Sequence, residues 1–404
     1  METITLCRVC KNKNIKNFFD LGMQPLANSL VDNLDKKENF YPLSLSYCPN
    51  CRLVQLNQTI DPEILFSEYV WVTATSKTAK DHSQTFYKEI ISRSSNKGYV
   101  LEVASNDGTF LIPFMKNGYD VLGVDPAKNI SEMAERNGIP TKCCFFKTET
   151  AKELVKQKGK ANIIFARNVL PHVANTRDFV EGLETCLDDD GVLAVEAHYA
   201  KIILEGLHYD SIYHEHLCYF TLKSLEKLLN DFNLYVFDIS KSPISGGSMI
   251  VYAKHGKVQE EPIVQQYRDK ELKDKTNELE SWDNFAKKSF DHKKKFLEVL
   301  KEANKYGIVA GYGASARSST MLNFANIDSK IISFIADANP LKQGRFTAGT
   351  HIPIISPEEI IKRNPGTIVI LAWNFASEIT DILRNKFNYK GQIIIPLPNA
   401  PYIL

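Results

Sequence analysis

The densest group of reactive side chains lies between residues 209 and 220, where the chain reads Tyr-Asp-Ser-Ile-Tyr-His-Glu-His-Leu-Cys-Tyr-Phe. Within it, Tyr213, Glu215 and His216 place a phenol, a carboxylate and an imidazole close together in the sequence. Such groups can act as a general base, a residue that orients the base and a donor to an oxyanion. The two histidines, His214 and His216, lack the H-E-x-x-H spacing of a catalytic zinc helix. The stretch predicts an acid–base site, with polar groups satisfying one another beneath a loop as the alternative.

Four of the eight cysteines form two C-x-x-C pairs, Cys7 with Cys10 and Cys48 with Cys51, which are separated by 37 residues. Each pair can place two thiolates on a tight turn, and the two pairs can together close a tetrahedral site. Four protein ligands leave no open position for a substrate, so the pattern predicts a structural Zn²⁺. A redox motif would need only one C-x-x-C and would leave the second pair unexplained.

Polar side chains also follow two buried strands that the sequence predicts at 161–166 and 191–197. Asn168 and His172 come after the first of these strands, and Glu196 and His198 stand at the end of the second. Because the carboxyl ends of parallel strands meet at one edge of a sheet, we expect these four side chains to share a rim. A single histidine is usually structural, so the prediction depends on the group.

The elements that position these residues are organised around 99–127, which predicts strand, turn, helix and strand. The first strand, 99–103, carries Glu102, the turn 104–108 follows, a helix opens near Thr109, and the second strand delivers Asp125. Ligands of open α/β sheets bind outside the carboxyl ends of the strands. A carboxylate about 20 residues after such a turn can accept hydrogen bonds from both hydroxyls of a ribose.

The turn itself narrows the class of ligand. It reads Ala-Ser-Asn-Asp-Gly and does not match the dinucleotide fingerprint G-x-G-x-x-G. Without a backbone cradle for pyrophosphate, a nucleoside without phosphates fits better, and S-adenosylmethionine (SAM) is such a ligand. A phosphate-bearing dinucleotide and an ordinary βαβ unit with a tight turn are the alternatives.

The 404 residues predict two or three domains, and the alternation of strands and helices predicts an α/β fold. We divide the chain into a small zinc-binding module (1–70), a central Rossmann-like domain that binds SAM (71–256), and linker helices with a C-terminal Rossmann-like α/β domain (257–404). In the last part, Gly311 to Ala316 matches G-x-G-x-x-A. We expect this turn, with Ser315, Arg317 and Ser318, to bind a nucleotide or diphosphate. A purely structural domain is the alternative.

Composition excludes several classes of partner. The formal net charge is +1, so no overall field favours nucleic acid or an anionic membrane. No window reaches 18 uninterrupted apolar residues, and the first residues do not resemble a secretory signal. We therefore expect a cytoplasmic protein without nucleic-acid or membrane partners, as a monomer or small homo-oligomer.

Motifs along nearly the whole chain resemble those of a known family, the SAM-dependent sugar C-methyltransferases that act on nucleotide-linked keto-deoxysugars. They occur in the family's order and are the paired C-x-x-C, LGMQPLANSL, EVASNDGTFL, NVLPHV, YHEH, GGSMIVY, GYGASARSS and DANPLKQGRFTAGTHIPI. The resemblance implies an N-terminal zinc module, a central SAM methyltransferase domain and a C-terminal Rossmann-like domain, which are the three parts described above.

The resemblance also implies roles for individual residues. The zinc ligands would be the four paired cysteines, and the SAM site would be lined by Glu102, Ala104, Asn106, Gly108 and Asp125. His216 would be the general base with Tyr213 and Glu215 beside it, Asn168 and His172 would face the substrate, and Tyr69 would be a further contact. Ala104 stands where the family more often has glycine, and its methyl group would crowd the cofactor unless the backbone φ stays negative.

The implied reaction is methylation of a carbon next to the ketone of a nucleotide-linked 4-keto sugar. An imidazole can remove the proton alpha to the ketone near neutral pH. Tyr213, His172 or Asn168 could donate to the resulting enolate, and SAM would supply the methyl group. The alternatives are an O- or N-methyltransferase acting on a sugar or small metabolite, and a zinc-containing binding protein with a degenerate SAM fold.

Overall fold

The computed structural model describes residues 1–35, 37–67, 72–94 and 97–404, and the chain folds into two compact units. The first unit consists of Met1–Lys16, Ser46–Lys201 and Leu217–Glu278. The second unit consists of Asn17–Leu45, Ile202–His216 and Leu279–Leu404. The three-part division expected from the sequence stays a prediction. None of the described helices is long and apolar enough to cross a membrane.

A seven-stranded sheet forms the centre of the first unit. In spatial order its strands are Leu234–Ser242, Ser248–His255, Leu187–His198, Ala161–Arg167, Tyr99–Val103, Asp120–Asp125 and Thr141–Cys143. The last five of these pair in parallel, and the other pairings are antiparallel. Tyr99–Val103 comes first along the chain but lies between Ala161–Arg167 and Asp120–Asp125. The strand order therefore reverses beside it, which is where open α/β sheets bind ligands.

Helices cover this sheet, and aromatic side chains fill the space between them. The helices are Pro62–Phe66, Lys77–Ile91, Ile112–Lys116, Lys128–Arg136, Thr148–Lys158, Thr176–Cys186, Leu222–Asn230 and Pro262–Lys273, with short 3₁₀ turns at Thr73–Thr75, Leu170–His172 and Ile244–Gly246. Phe114 stacks on Phe165 with ring centroids 5.5 Å apart, and Phe86 meets Phe165 edge-on at 5.1 Å. These rings are fully buried, so they stabilise the layer that carries the predicted SAM turn.

Short strands accompany the cysteine pairs in the first unit. Glu2–Thr3 pairs with Gln58–Thr59, and Val54–Leu56 pairs with Cys218–Tyr219, both antiparallel. Val9, Leu53 and Leu56 of these segments are completely buried.

The second unit contains its own sheet, which is mostly parallel. In spatial order the strands are Ile354–Ile355, Ile335–Ala336, Val309–Tyr312, Thr367–Ile370, Gln392–Ile395 and the antiparallel Tyr402–Ile403. Its helices are Leu279–Asn304, Ala316–Ala325, Pro357–Lys362, Ala376–Asp381 and the π-helical Ile382–Lys386, with 3₁₀ turns at Tyr209–Ser211 and Trp373–Phe375. Strands Lys16–Pro25 and Phe40–Tyr47 belong largely to this unit, and helix Ala200–Gly206 leads the chain into it. The predicted α/β class with Rossmann-like sheets is confirmed.

Candidate active site

The four paired cysteines come together in the first unit, as their spacing predicts. The Sγ atoms of Cys7, Cys10, Cys48 and Cys51 all lie within 4.8 Å of one another. The closest approaches are 3.4 Å between Cys7 and Cys51 and 3.5 Å between Cys10 and Cys48. Four thiol sulfurs at this spacing match the ligand set of a structural zinc ion, and they leave no position for a substrate.

The two C-x-x-C segments adopt the same turn. The carbonyl of Cys7 accepts a hydrogen bond from the amide of Lys11 at 3.0 Å, and that of Cys48 accepts one from Arg52 at 2.9 Å. Lys11 and Arg52 both have positive φ, +58° and +66°. Each turn therefore folds back after its second cysteine, which brings both thiols of a pair to one side.

Arg8, inside the first C-x-x-C, ties this cluster to the rest of the first unit. Its guanidinium donates to the Thr59 hydroxyl at 2.8 Å and to the Ala174 carbonyl at 3.2 Å. In return, the Thr176 hydroxyl donates to the Arg8 carbonyl at 3.0 Å. Ala174 follows the segment that contains His172, which was predicted to face the substrate. The buried Arg8 therefore links the cysteine cluster to that segment. Sequence spacing gave no sign of this contact.

The turn after Tyr99–Val103 contains three residues with positive φ. They are Ala104 at +59°, Asn106 at +50° and Gly108 at +78°. The φ of Ala104 is therefore positive, which is the case in which its methyl group would crowd a bound cofactor. A non-glycine residue in the left-handed region is strained, and such strain is tolerated where the surrounding structure fixes the backbone. The Ala104 amide is fixed by a hydrogen bond of 2.7 Å to the Val124 carbonyl.

Two buried carboxylates flank this turn. Asp125 accepts hydrogen bonds from the amides of Asn106 at 2.9 Å and Ala127 at 3.0 Å. Glu102 is fully enclosed, and its Oε2 atom has no hydrogen-bond partner among the described residues. Burial raises the pKa of Asp125 and holds the pKa of Glu102 well above its ordinary value. A buried oxygen without a partner fits a ligand that brings its own donors, such as the hydroxyls or ammonium of SAM.

The side chains of Asn106 and Asp107 hold a neighbouring segment over the turn. Asn106 Oδ1 accepts from the amide and hydroxyl of Thr73 at 2.9 and 3.0 Å. Asp107 Oδ2 accepts from the Ala74 amide at 2.9 Å. The hydroxyl-rich stretch after Tyr69 is thereby placed at the SAM turn, although Tyr69 itself lies outside the described residues. The sequence signal was the cluster of hydroxyl residues, but it did not identify Asn106 and Asp107 as their partners.

The predicted rim residues of the first unit have different surroundings. Asn168 is half-buried with φ of +52°, and the backbone amide of Asn168 donates to the Glu196 carbonyl at 2.7 Å. His172 is half-buried and meets Phe66 edge-on, with ring centroids 5.8 Å apart. His198 is buried.

Glu196 is fully buried and fully engaged. Its carboxylate accepts from Arg167 Nε at 2.8 Å and from the Ser242 hydroxyl at 2.6 Å. The Arg167 guanidinium in turn lies 3.0 Å from the Phe110 ring centroid. Of the four predicted rim residues, Asn168 and His172 therefore stay candidates for substrate contact, whereas His198 is buried and Glu196 is held inside the sheet by Arg167 and Ser242.

The Tyr213–His216 segment belongs to the second unit, where two of its side chains form a close pair. His216 Nδ1 lies 2.7 Å from the Ser211 carbonyl oxygen, and His216 Nε2 lies 2.7 Å from the Tyr213 hydroxyl. Because a carbonyl only accepts, Nδ1 carries the proton and Nε2 holds the lone pair of the neutral ring. Both side chains are half-buried, so the pair is accessible to a ligand.

The other two members of the YHEH motif are buried. Glu215 accepts from the Asn28 side-chain amide at 2.6 Å, and burial raises the pKa of Glu215 to about 7. His214 Nε2 lies 3.2 Å from the Pro42 carbonyl oxygen, and burial lowers the pKa of His214. In the motif, Tyr213 and His216 are thus accessible, whereas His214 and Glu215 are buried. Asn28 comes from the LGMQPLANSL segment, whose role the sequence left open.

Three family models match the chain in succession. A model described as a putative zinc binding domain matches residues 7–66, a methyltransferase domain matches 79–239, and a C-methyltransferase C-terminal domain matches 243–398. The first match contains all four clustered cysteines, and the second contains the turn with Glu102 and Asp125.

A full-length relative and several solved structures are also similar. The C-methyltransferase NovU of Streptomyces niveus is 30% identical over 410 residues, which cover 100% of this chain and 98% of that protein. Magnesium protoporphyrin IX methyltransferase from Synechocystis PCC 6803 with bound SAM is 14% identical, covers 44% of this chain and 79% of its own, and has a TM-score of 0.34. A SAM-dependent methyltransferase from Anabaena variabilis ATCC 29413 is 14% identical, covers 44% of this chain and 85% of its own, and has a TM-score of 0.37. At these TM-scores the structures carry no weight beside the sequence relative.

Proposed function

Since this chain belongs to the C-methyltransferase family, we propose that it methylates a carbon next to the ketone of a nucleotide-linked 4-keto sugar. It is a SAM-dependent methyltransferase with a zinc-binding N-terminal region. The family transfers methyl groups to carbon, which disfavours the predicted O- or N-methyltransferase and the degenerate binding protein. The keto-sugar substrate, the cytoplasmic location and the oligomeric state are predictions.

The residues around the first turn fit SAM. Asp125 would accept from the ribose hydroxyls, and the free oxygen of Glu102 would accept from a further donor of the cofactor. Ala104, Asn106 and Gly108 would border it with their backbone. When bound, SAM would supply its methyl group to a carbon nucleophile, with the methyl–sulfur bond breaking and S-adenosylhomocysteine, a neutral thioether, as the leaving group. The zinc cluster has no part in this step, because its four ligands are all protein thiols.

The observation that carries the proposed chemistry is the geometry of His216. Its Nδ1 proton is held by the Ser211 carbonyl, so Nε2 is the atom that can accept a proton. A carbon alpha to a ketone is weakly acidic and needs a positioned base. Transfer of its proton to Nε2 breaks the C–H bond and leaves the electron pair in an enolate.

Tyr213 complements this base. Its hydroxyl donates to His216 Nε2 in this structure. On substrate binding, the hydroxyl would exchange that bond for one to the ketone oxygen, which frees Nε2 and supplies a donor to the developing oxyanion. Asn168, His172 and Tyr69 are proposed as substrate contacts from their motifs.

Glu215 would act behind the pair because its side chain is enclosed. Burial raises the pKa of Glu215 to about 7, although the hydrogen bond that the Asn28 amide donates to its carboxylate acts in the opposite direction. The carboxyl therefore changes charge near neutral pH, beside the residue proposed as base. We assign it the role of setting the electrostatics of the YHEH segment.

The proposed reaction is tested by incubating the purified protein with SAM and a panel of nucleotide-linked keto sugars. We expect one sugar to gain the mass of one methylene group. In deuterated water without SAM, the proton alpha to the ketone of that sugar should exchange. No mass gain with any keto sugar would overturn the substrate class.

His216→Asn tests the base. We expect it to abolish both exchange and methyl transfer, while calorimetry shows SAM binding unchanged. Asparagine keeps a similar size and can still donate to Ser211, so the matched variant isolates the loss of the basic nitrogen. Exchange at the wild-type rate in His216→Asn would show that another group removes the proton.

A further inference from the structure

The helix that follows the G-x-G-x-x-A turn, Ala316–Ala325, is joined to the chain just before the proposed base. We infer that the ion pair between Arg317 and Asp210 is a positioning device for His216 and Tyr213. This inference rests on the proposed function, because it assumes that His216 is the base. All the residues involved belong to the second unit.

The ion pair has the geometry of a strong, directional contact. Arg317 Nε and Nη2 each lie 2.9 Å from separate oxygens of Asp210, and the indole nitrogen of Trp373 donates to the same carboxylate at 2.7 Å. Asp210 is completely buried. A paired arginine fork fixes orientation as well as distance, so the Asp210 backbone is held in one place.

The next residue after Asp210 connects this pair to the base. Ser211 supplies the carbonyl that accepts the His216 Nδ1 proton at 2.7 Å. Displacing Asp210 would move that carbonyl. Without this acceptor, the proton of the His216 ring would no longer be fixed on Nδ1. Arg317 thus acts on His216 through two adjacent backbone residues, Asp210 and Ser211.

A second contact from the same helix supports this arrangement. The Thr320 hydroxyl, three residues after Arg317, donates to the Ile212 carbonyl at 2.9 Å. Residues three apart lie on one helix face, so Arg317 and Thr320 bind Asp210 and Ile212, which are two residues apart in the loop 209–216. At the start of the loop, the Tyr209 hydroxyl lies 3.0 Å from His292 Nδ1.

The same contacts bear on the expected nucleotide-binding role of this turn. Ser315 and Ser318 form a reciprocal capping box, with bonds of 2.8 and 3.1 Å, and the Arg317 guanidinium lies 4.6 Å from the Trp373 ring centroid. The three side chains expected to bind phosphate are therefore engaged within the protein. The helix therefore holds the loop of residues 209–216, which contains Tyr213 and His216.

The test compares Arg317→Gln with Arg317→Lys and a control, Arg363→Gln, in the full-length protein. Arg363 pairs with Glu359 at 3.5 Å on the surface of the same unit, and such exposed pairs contribute little. We expect Arg317→Gln to reduce kcat and the rate of alpha-proton exchange by about 10- to 100-fold, the cost of a displaced catalytic group. KM for SAM and calorimetric SAM affinity should stay at wild-type values.

Arg317→Lys should lose less activity than Arg317→Gln, because lysine keeps the charge but not the fork. Asp210→Asn, which keeps the shape of the side chain, gives the second measurement if Arg317→Gln fails to fold. A folded Arg317→Gln or Asp210→Asn with the kcat and exchange rate of Arg363→Gln overturns the inference alone. A wild type that exchanges no proton overturns the proposed function and the inference together.

Discussion

The two strand–turn–helix segments, one in each unit, share a backbone plan and differ in how their polar groups are satisfied. In the first, Asp125 accepts from the amide of the turn residue Asn106 and from an amide two residues beyond itself. In the second, Asp337 accepts from the amide of the turn residue Ala314 and from that of Asn339, both at 2.8 Å. Asp125 is the last residue of its strand and Asp337 directly follows the strand Ile335–Ala336, so the two positions correspond.

The cations differ. Lys342 Nζ donates to the Ala314 carbonyl at 2.7 Å and lies 3.6 Å from Asp337, so the second turn has a counter-charge from its own chain. Beside the first turn, the carboxyl of Glu102 on the preceding strand has an oxygen without a partner among the residues that the structure describes. The strand–turn–helix pattern therefore specifies a fold, while an unsatisfied buried group indicates where a ligand is required.

The largest expected effect is on the first turn. Asp125→Ala should weaken SAM binding about 100-fold, because two hydrogen bonds to a carboxylate contribute about 1.5 kcal/mol each. Isothermal titration calorimetry measures the change in Kd. Asp337→Ala is the matched control in the second turn and should leave Kd for SAM unchanged. Equal losses in both variants would show that SAM binding does not depend on the first turn in particular.

Glu102→Gln should weaken SAM binding about tenfold, in line with one charge-assisted hydrogen bond. It should also reduce the dependence of the free energy of unfolding on pH, since glutamine has no proton to lose. The pKa of Glu102 is raised in the folded protein, so its stabilising effect is complete below the ordinary glutamate pKa and is lost as pH rises through the folded value. Chemical denaturation from pH 5 to pH 8 should show a larger loss in the wild type than in Glu102→Gln, in which Asp125 and Glu215 still titrate.

Lys342→Met should reduce the free energy of unfolding by about 1 kcal/mol, because it removes the donor to the Ala314 carbonyl in a mostly buried site. SAM affinity should be unchanged in calorimetry. A nucleoside diphosphate should then be titrated into the wild type and into Lys342→Met. Binding to the wild type that Lys342→Met abolishes would show that the second turn also serves a ligand.

The smallest effect is expected for Ala104→Gly. Relief of the left-handed strain at φ of +59° should exceed the extra chain entropy of glycine, for a gain of about 0.5 kcal/mol. The reverse exchange at the second turn, Gly313→Ala, should destabilise clearly, because its Cβ would lie 2.4 Å from Ala372 Cβ. Thermal melting of both variants checks the signs, and a destabilised Ala104→Gly would contradict the strain argument.

Sequence periodicity predicted much of the fold because local patterns specify local elements. The first strand, 99–103, was predicted at its observed bounds. The following helix begins at Ile112 and not near Thr109, because the Gly108 carbonyl first accepts turn hydrogen bonds from Leu111 and Ile112. The predicted long helical linker consists of two helices, Pro262–Lys273 and Leu279–Asn304.

The candidate site was predictable where spacing brings residues together and not where distant segments meet. The cysteine cluster follows from two C-x-x-C pairs. The bond between Asn28 and Glu215 joins residues 187 positions apart, and that between Arg317 and Asp210 joins residues 107 apart. Neither pair has a local pattern, so only tertiary structure identifies the partners of the YHEH motif.

The division of the chain into units has a consequence for truncation and for synthesis on the ribosome. The chain passes from one unit to the other five times, after Lys16, Leu45, Lys201, His216 and Glu278. A fragment ending at residue 256 would lack Glu271, whose carboxylate accepts from the Leu222 amide at 2.6 Å at the start of a helix. A fragment starting at residue 71 would lack Asn28 and leave the buried Glu215 carboxyl without that donor. We therefore expect the first unit to complete its folding only after residue 278 has been synthesised, and fragments cut at residue 70 or 256 to be insoluble.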